Sequence, residues 1–272
     1  MSVSTSSDFA KLFHLVRYHF SVSFRKIRPY PPLVVWLLFL FTLYQQVPVN
    51  MVDNYSVSAS VMFYVMIWFG YLFLSDFDMV VEHLLILQIN SKFLNATSKV
   101  LFLLTVCLFV GFIGGVFPII IQTATLLMGG TWFDMVGVAE LFGGFFLHFI
   151  IGSLGVSVAF LFQLNPDKRN KNLVMVFALT LFAVLALVKH QVFGFDGVMR
   201  HALLLFTPAY EILRLFSYSE AFKTGDMLLA AVMGSIYFMA AVIIGHWLYN
   251  KRVYGPLIAN EDKELNKGCP RK

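Results

Sequence analysis

Charged residues are scarce in this chain. Only 13% of its 272 residues are Asp, Glu, Lys or Arg, whereas 59% are hydrophobic. A soluble domain usually carries about 25% charged residues, so a soluble fold of this length would have too few charges to cover its surface. Helices in a bilayer need no polar outer face because lipid surrounds them. The composition therefore argues against most soluble enzymes and indicates an integral membrane protein.

Disulfide, metal and nucleotide motifs are lacking as well. The two cysteines lie in an apolar run (Cys107) and in the polar tail (Cys269), where they are not expected to meet. There is no G-x-x-x-x-G-K-[ST] phosphate loop, no Gly-x-Ser-x-Gly elbow and no His cluster at metal-ligand spacing. We therefore expect no metal, no catalytic residue and no bound cofactor in this chain. The first residues lack a signal-peptide core with a cleavage site, so the first span is expected to direct insertion.

Long apolar runs are what the chain does have. Six of them are each near the length that crosses roughly 30 Å of hydrocarbon. They are 31–48, 57–75, 100–127, 137–162, 173–188 and 227–249. The pattern predicts an all-α polytopic membrane protein with six transmembrane helices, in which 1–272 form a single transmembrane domain.

The distribution of basic residues predicts the orientation of these spans. With six spans, 16 of the 20 Lys and Arg residues fall on one side of the membrane. Because cytoplasmic loops are enriched in Lys and Arg, both termini, including the tail 250–272, are expected in the cytoplasm. The net charge of +5 is interpreted as this topology signal and as attraction to anionic membrane lipid, not as nucleic-acid binding. A multi-pass protein of the cell (plasma) membrane, bacterial in origin, is expected.

Residues 8–28 have the pattern of an amphipathic helix. Phe9 and Phe13 belong to an apolar series with steps of three and four, while Arg17 and Arg25 fall largely elsewhere. We predict an interfacial helix on the cytoplasmic surface, ended by prolines from Pro29 onward. A helix that packs on a soluble core is the alternative.

The segment between the second and third spans resembles a docking element. Acidic residues precede a Leu-rich stretch, and a cap-like break at 89–91 leads into a second short helix. An ordinary interfacial loop is the alternative. The residues that stand out follow in this order: Glu82, Leu84, Leu85, Leu87, Ser91, Phe93 and Lys99.

In these residues the chain resembles the membrane (permease) subunits of type-2 ABC transporters, which also have a basic N-terminal helix and six spans. The resemblance implies an exporter built from two permeases, identical or related, and two ATPase subunits. ATP and Mg would be bound by the ATPase, into which segment 80–98 would dock as a coupling helix. The seven residues named above would then couple the permease to ATP hydrolysis.

The outer half of the chain holds the remaining candidates. Segment 189–226 is interpreted as short outer re-entrant or interfacial helices, with a surface helix that has no role in transport as the alternative. The resemblance to type-2 ABC permeases implies that this region caps the outer end of the translocation path. Glu140, His148 and Pro118 are candidates for the substrate path, with structural packing as the alternative. Small residues at Gly111, Gly115 and Gly152 predict close helix packing.

Together these patterns predict the permease subunit of an ATP-driven exporter, which is not itself an enzyme. The few charges in the spans favour an amphipathic or hydrophobic substrate such as a peptide, drug or lipid. Two alternatives stay open: a stand-alone secondary transporter or membrane-embedded enzyme, and an immunity or sensor membrane subunit.

Overall fold

The structure, a computed structural model, describes residues 7–45, 50–76, 79–127, 137–162, 208–216, 219 and 221–267. Within these ranges all regular secondary structure is helical. The helices are α1 (Asp8–Ser23), α2 (Tyr30–Leu43), α3 (Met51–Ser75), α4 (Met79–Ile89), α5 (Lys92–Leu127), α6 (Val138–Phe162), α7 (Ala209–Phe216) and α8 (Thr224–Lys267).

Four of these helices are long and apolar enough to cross a membrane: α3, α5, α6 and the first 26 residues of α8. The prediction of an all-α protein with membrane-spanning helices is confirmed to this extent. Helix α2, in the place of the first predicted span, has 14 residues and rises only about 21 Å. The predicted fifth span, 173–188, lies outside the described residues. The count of six spans therefore stays a prediction.

Helix α1 ends earlier than expected from the sequence. It stops at Ser23 instead of at residue 28, because the chain turns before the prolines: the amide of Lys26 donates to the carbonyl of Ser23. Pro29 is the N-cap of α2, and two further prolines occupy its first turn, where a missing N–H costs nothing. The prolines therefore begin α2, and the turn that precedes them ends α1.

Two transmembrane helices begin earlier than their apolar runs. Asn50 caps α3, since its side-chain oxygen accepts a hydrogen bond from the amide of Val52 at 3.0 Å, so the predicted outer loop before residue 57 is helical. Asn90 has a left-handed φ of 56°, and Ser91 accepts from the amide of Leu94 at 3.3 Å. Residues 92–99 are therefore the start of α5 and not a separate short helix.

Three other ends agree with the predicted spans: α3 ends at Ser75, and the described parts of α5 and α6 reach Leu127 and Phe162. Helix α5 continues through Pro118 to Leu127 without interruption. Helix α8 extends past the predicted span end at 249 as far as Lys267, so much of the predicted tail is helical. Helix α7 falls in the outer segment for which short helices were expected, and Ile212 and Phe216 bury its apolar face.

Close packing among α3, α5 and α6 forms the centre of the structure. A Cβ atom on Gly155 of α6 would lie 2.5 Å from the carbonyl oxygen of Phe63, and one on Gly152 would lie 2.6 Å from the sulfur of Cys107. A Cβ added to Gly115 of α5 would lie 3.1 Å from the backbone of Phe145, and one added to Gly111 would lie 3.5 Å from the nearest atoms of α6. All three glycines singled out in the sequence thus lie where these helices meet.

The bundle has two chemically different ends. At one end, α1 and α4 lie with the last turn of α3 and the first turns of α5, and Asp76 pairs with Lys26 at 3.1 Å and with Arg28 at 2.5 Å. We call this the basic end. Seven of the nine Lys and Arg side chains that the structure describes belong to it: Lys11, Arg17, Arg25, Lys26, Arg28, Lys92 and Lys99. The opposite end contains Asn50, whose amide donates to the carbonyl of Ser219 at 3.1 Å.

The outer surface of the bundle between these ends is apolar. Helix α8 has no Asp, Glu, Lys or Arg from residue 227 to 249, and large apolar side chains such as Leu228, Ile236 and Ile243 are exposed along it. Exposed apolar surface of this extent is unfavourable in water and matches the hydrocarbon of a bilayer.

Candidate functional site

Two of the predicted coupling residues form a buried ion pair at the basic end. Glu82 of α4 bonds to Lys99 of α5, and their exposed fractions are only 6% and 0%. Removing two charges from water costs several kcal/mol per ion unless they pair and gain further hydrogen bonds. The surroundings of this pair supply such bonds.

A tyrosine from the far part of the chain completes the pair. The hydroxyl of Tyr249 on α8 donates to Oε1 of Glu82 at 2.7 Å, and the side-chain amide of Asn95 donates to the Tyr249 oxygen at 2.9 Å. Nζ of Lys99 lies 5.3 Å from the centre of the Tyr249 ring, within the range of a cation–π contact. We call Glu82, Asn95, Lys99 and Tyr249 the Glu82 network. It joins α4, α5 and α8.

Helix α1 reaches the same region through a buried histidine. Nε2 of His19 lies 2.9 Å from the hydroxyl of Ser98, and Ser98 donates its single proton to the carbonyl of Asn95 at 2.7 Å. His19 is therefore the donor to Ser98. Burial lowers the pKa of His19 to about 3, with a smaller lowering by Lys99 that Glu82 opposes. The imidazole is consequently neutral at physiological pH.

Helix α1 packs on the bundle along one side. Leu15, His19 and Ser23 are buried against the bundle, whereas Phe9 and Phe13 are exposed. Arg17 and Arg25 are exposed as well. The phenylalanines are thus available to a membrane surface, and the interfacial role of α1 stays a prediction.

The opposite side of α4 is an exposed apolar surface. Val80, Leu84 and Leu87 follow the i, i+4, i+7 spacing of one helical face, and Leu87 is 77% exposed. We call these three residues the exposed α4 face. Of the other predicted coupling residues, Leu85 is half-buried, Ser91 caps α5, and the exposed Phe93 lies beside His246, with 5.1 Å between ring centres.

Helix α4 has few neighbours among the described helices. It packs mainly on α5, and Ile86 is its other buried side chain in the part of α4 that the structure describes. A cavity of ≈ 340 Å³, lined by residues that include His14 and Leu85, separates it from α1. A second cavity of ≈ 160 Å³ lies between Tyr18 and Val81. The Glu82 network is therefore a main attachment of α4 to the bundle.

A second buried polar group lies in the middle of the bundle at His148. Nδ1 of His148 donates to the carbonyl of Gly144 at 2.7 Å, and Nε2 lies 2.9 Å from the hydroxyl of Ser58 on α3. The ring is fully buried and meets Trp36 edge-to-face at 5.7 Å. The hydroxyl of Tyr55 donates to the carbonyl of Gly115 at 3.0 Å. These bonds connect α3, α5 and α6.

The three candidates for the substrate path are not brought together by hydrogen bonds among the described residues. Glu140 is half-buried in the first turn of α6, where its charge is favourable near the helix N-terminus. His148 lies two turns further along, about 12 Å by helical rise. Pro118 is buried in α5. Their role in a substrate path stays a prediction.

Within the described ranges, no three His, Cys, Asp or Glu side chains are arranged to hold a metal ion. Sequence reasoning missed His19, Asn95 and Tyr249 as members of the polar region. Asn95 and Lys99, two polar residues four apart at the start of an apolar helix, are a signal that could have pointed there. Comparison with family models, curated proteins and solved structures found no match for this chain. Its function is therefore inferred from the residues and contacts above.

Proposed function

We propose that this chain is the membrane-spanning permease subunit of an ATP-driven ABC exporter, partnered by a separate ATPase that binds ATP and Mg. The exposed α4 face carries this proposal. It is an apolar surface on a short helix at the basic end. Exposed apolar patches on folded proteins commonly mark interaction sites. A partner that covers Val80, Leu84 and Leu87 removes this surface from water.

The position of α4 supports an energy-coupling partner rather than a passive one. Helix α4 is attached through the Glu82 network to α5 and α8, and both of these helices are long enough to cross the membrane. A protein seated on α4 therefore contacts an element that is bonded directly to two candidate spans. With the positive-inside rule, the basic end faces the cytoplasm, where ATP is available.

The composition of the spans supports an amphipathic or hydrophobic cargo such as a peptide, drug or lipid. In the described transmembrane helices the charged residues lie near the helix ends, as Asp53, Lys99, Glu140 and Asp226 do. Few charges within the described spans favour an apolar or amphipathic cargo over one that needs a charged partner at the membrane centre. A second permease copy, identical or related, completes the assembly in this proposal.

Co-purification tests the proposal with a matched pair of variants. Leu87 lies on the exposed α4 face, and Leu127 is 84% exposed at the opposite end of α5. We expect the detergent-extracted wild type to retain a protein that hydrolyses ATP and whose sequence contains a phosphate loop. Leu87→Asp should lose this protein, and Leu127→Asp should keep it.

One result contradicts the proposal. If the wild type purifies alone, folded and without ATP hydrolysis, under conditions that preserve known membrane complexes, the chain is a self-contained carrier or enzyme.

A further inference from the structure

The Glu82 network has a geometry that suits transmission of movement from α4 to the spans. We propose that Glu82, Lys99, Asn95 and Tyr249 are positioning residues that fix α4 to α5 and α8 and pass its displacement to them, and that Glu82 does not contact the partner. The transmission part of this inference rests on the proposed function. The attachment part concerns this chain alone.

The direction of the Glu82 side chain separates it from the docking surface. Val80, Leu84 and Leu87 are exposed, whereas Glu82 and Ile86 are buried on the inner face of the same helix. A partner that covers the exposed α4 face therefore reaches Leu87 without touching the carboxylate. Glu82 acts on coupling through α4 and not through the interface.

The Glu82 carboxylate contributes to the attachment of α4. An isolated helix of 11 residues is marginal in water, since helices shorter than about 12–15 residues do not offset the cost of nucleation. Ile86 is the other buried side chain that the structure describes on α4. Tertiary contacts must therefore hold the helix in place, and the bonds of Glu82 to Lys99 and Tyr249 are among them.

A single atom receives the bonds from two spans. Oε1 of Glu82 accepts from Nζ of Lys99 and from the hydroxyl of Tyr249, so a shift of α4 acts on α5 and α8 together. Asn95 donates to the same tyrosine at 2.9 Å and connects the two spans directly. Helix α5 then runs 36 residues without a break, about 54 Å, so its displacement extends to the far end of the bundle.

The polar chemistry also favours a positioning role over a purely stabilising one. Buried ion pairs are often no more stable than well-packed apolar residues of similar volume, and their best-attested use is to fix one arrangement of elements. Hydrogen bonds have defined directions, which apolar contacts lack. The Glu82 network thus defines the orientation of α4 relative to two spans.

Hydrogen–deuterium exchange tests the attachment without any partner. Tyr249→Phe removes the hydroxyl that bonds to Glu82, and Tyr237→Phe makes the same change on α8 twelve residues earlier. A hydrogen bond to a charged group contributes about 1.5–3 kcal/mol, so we expect amide exchange in 79–89 to rise roughly 10- to 100-fold in Tyr249→Phe. Tyr237→Phe should exchange like wild type. Equal exchange in all three proteins would overturn the attachment.

The complex tests transmission and separates it from docking. A cysteine at Leu127, far along α5, reports displacement through its labelling rate with and without a non-hydrolysable ATP analogue. We expect Tyr249→Phe to retain the ATPase while the ATP-dependent change at 127 falls at least several-fold, and Leu87→Asp to lose the ATPase itself. If Tyr249→Phe loses the ATPase like Leu87→Asp, or keeps the full ATP response, the positioning role is wrong. If the wild type binds no ATPase, the proposed function and the transmission fail together, while the exchange result still decides the attachment.

Discussion

Replacing Lys99 with Met should destabilise the protein far more than the loss of one surface charge would. The Lys99 side chain is fully buried, and its removal takes the paired cation away from the buried Glu82 carboxylate while the hydrogen bond from Tyr249 stays. Removing one partner of a buried pair typically costs about 3–5 kcal/mol, because the other charge is left uncompensated. With roughly 2 °C per kcal/mol for a chain of this size, the midpoint of thermal unfolding in detergent should fall by at least about 6 °C.

The double variant makes this prediction specific to the ion pair. In Glu82→Gln with Lys99→Met neither charge remains, and the Gln oxygen can still accept from Tyr249. We expect this protein to lie within about 2 kcal/mol of wild type, since neutral replacements of buried pairs are often tolerated. Thermal unfolding of the wild type, both single variants and the double variant gives the coupling energy. Simple addition of the two single effects, or a loss below about 1 kcal/mol for Lys99→Met, would refute the reasoning.

Two further predictions concern helix packing and pH. Gly144→Ala should lower the free energy of unfolding by about 1–3 kcal/mol, because the added Cβ would lie 2.5 Å from the Tyr55 ring. Gly225→Ala is the control: its Cβ would meet nothing within 4 Å, so the unfolding midpoint should stay the same or rise slightly. Equal midpoints for the two variants would contradict the packing. Since the pKa of His19 is about 3 in the folded protein and about 6.5 when unfolded, the unfolded chain binds the proton first. Between pH 7.5 and pH 5 the wild type should therefore lose about 2 kcal/mol of stability, measured by thermal unfolding at each pH. His19→Gln should not show this loss. Parallel losses in both proteins would show that His19 is not the cause.

The four helices that can span a membrane were predictable because their length and hydropathy alone identify them. Runs such as 100–127 and 137–162 have few polar residues, so any helix that contains them must be surrounded by lipid or by other apolar helices. The helix ends were less predictable. Asn50 and Ser91 extend α3 and α5 beyond their apolar runs through local caps, and hydropathy does not register a single capping hydrogen bond.

The candidate site was predictable only in part. The sequence drew attention to Glu82 and Lys99, which are 17 residues apart, but gave no sign that they bond to each other. Their third partner, Tyr249, is 167 residues from Glu82 along the chain. Contacts of such separation depend on how the helices assemble, which a single sequence does not specify. The resemblance to a coupling helix therefore drew attention to this segment but did not indicate the inward direction of its carboxylate.

The order of polar and apolar residues on α1 shows the same limit. Two apolar faces compete on this helix, one through Phe9 and Phe13 and one through Leu15. Leu15 and His19 are buried, and His19 bonds there to the hydroxyl of Ser98, 79 residues away. Periodicity identifies an amphipathic helix, and tertiary hydrogen bonds select which side packs inward.

Cross-linking from the exposed α4 face in native membranes shows whether an ATPase docks on this helix. A cysteine introduced at Leu87, in a protein with Cys269→Ser and the buried Cys107 left in place, carries a short photoactivatable cross-linker, and the same cysteine at Leu127 is the control. We expect position 87 to yield an adduct with a protein that contains a phosphate loop, and position 127 to yield none with it. No such adduct at 87, or the same adducts at both positions, would contradict the proposed docking.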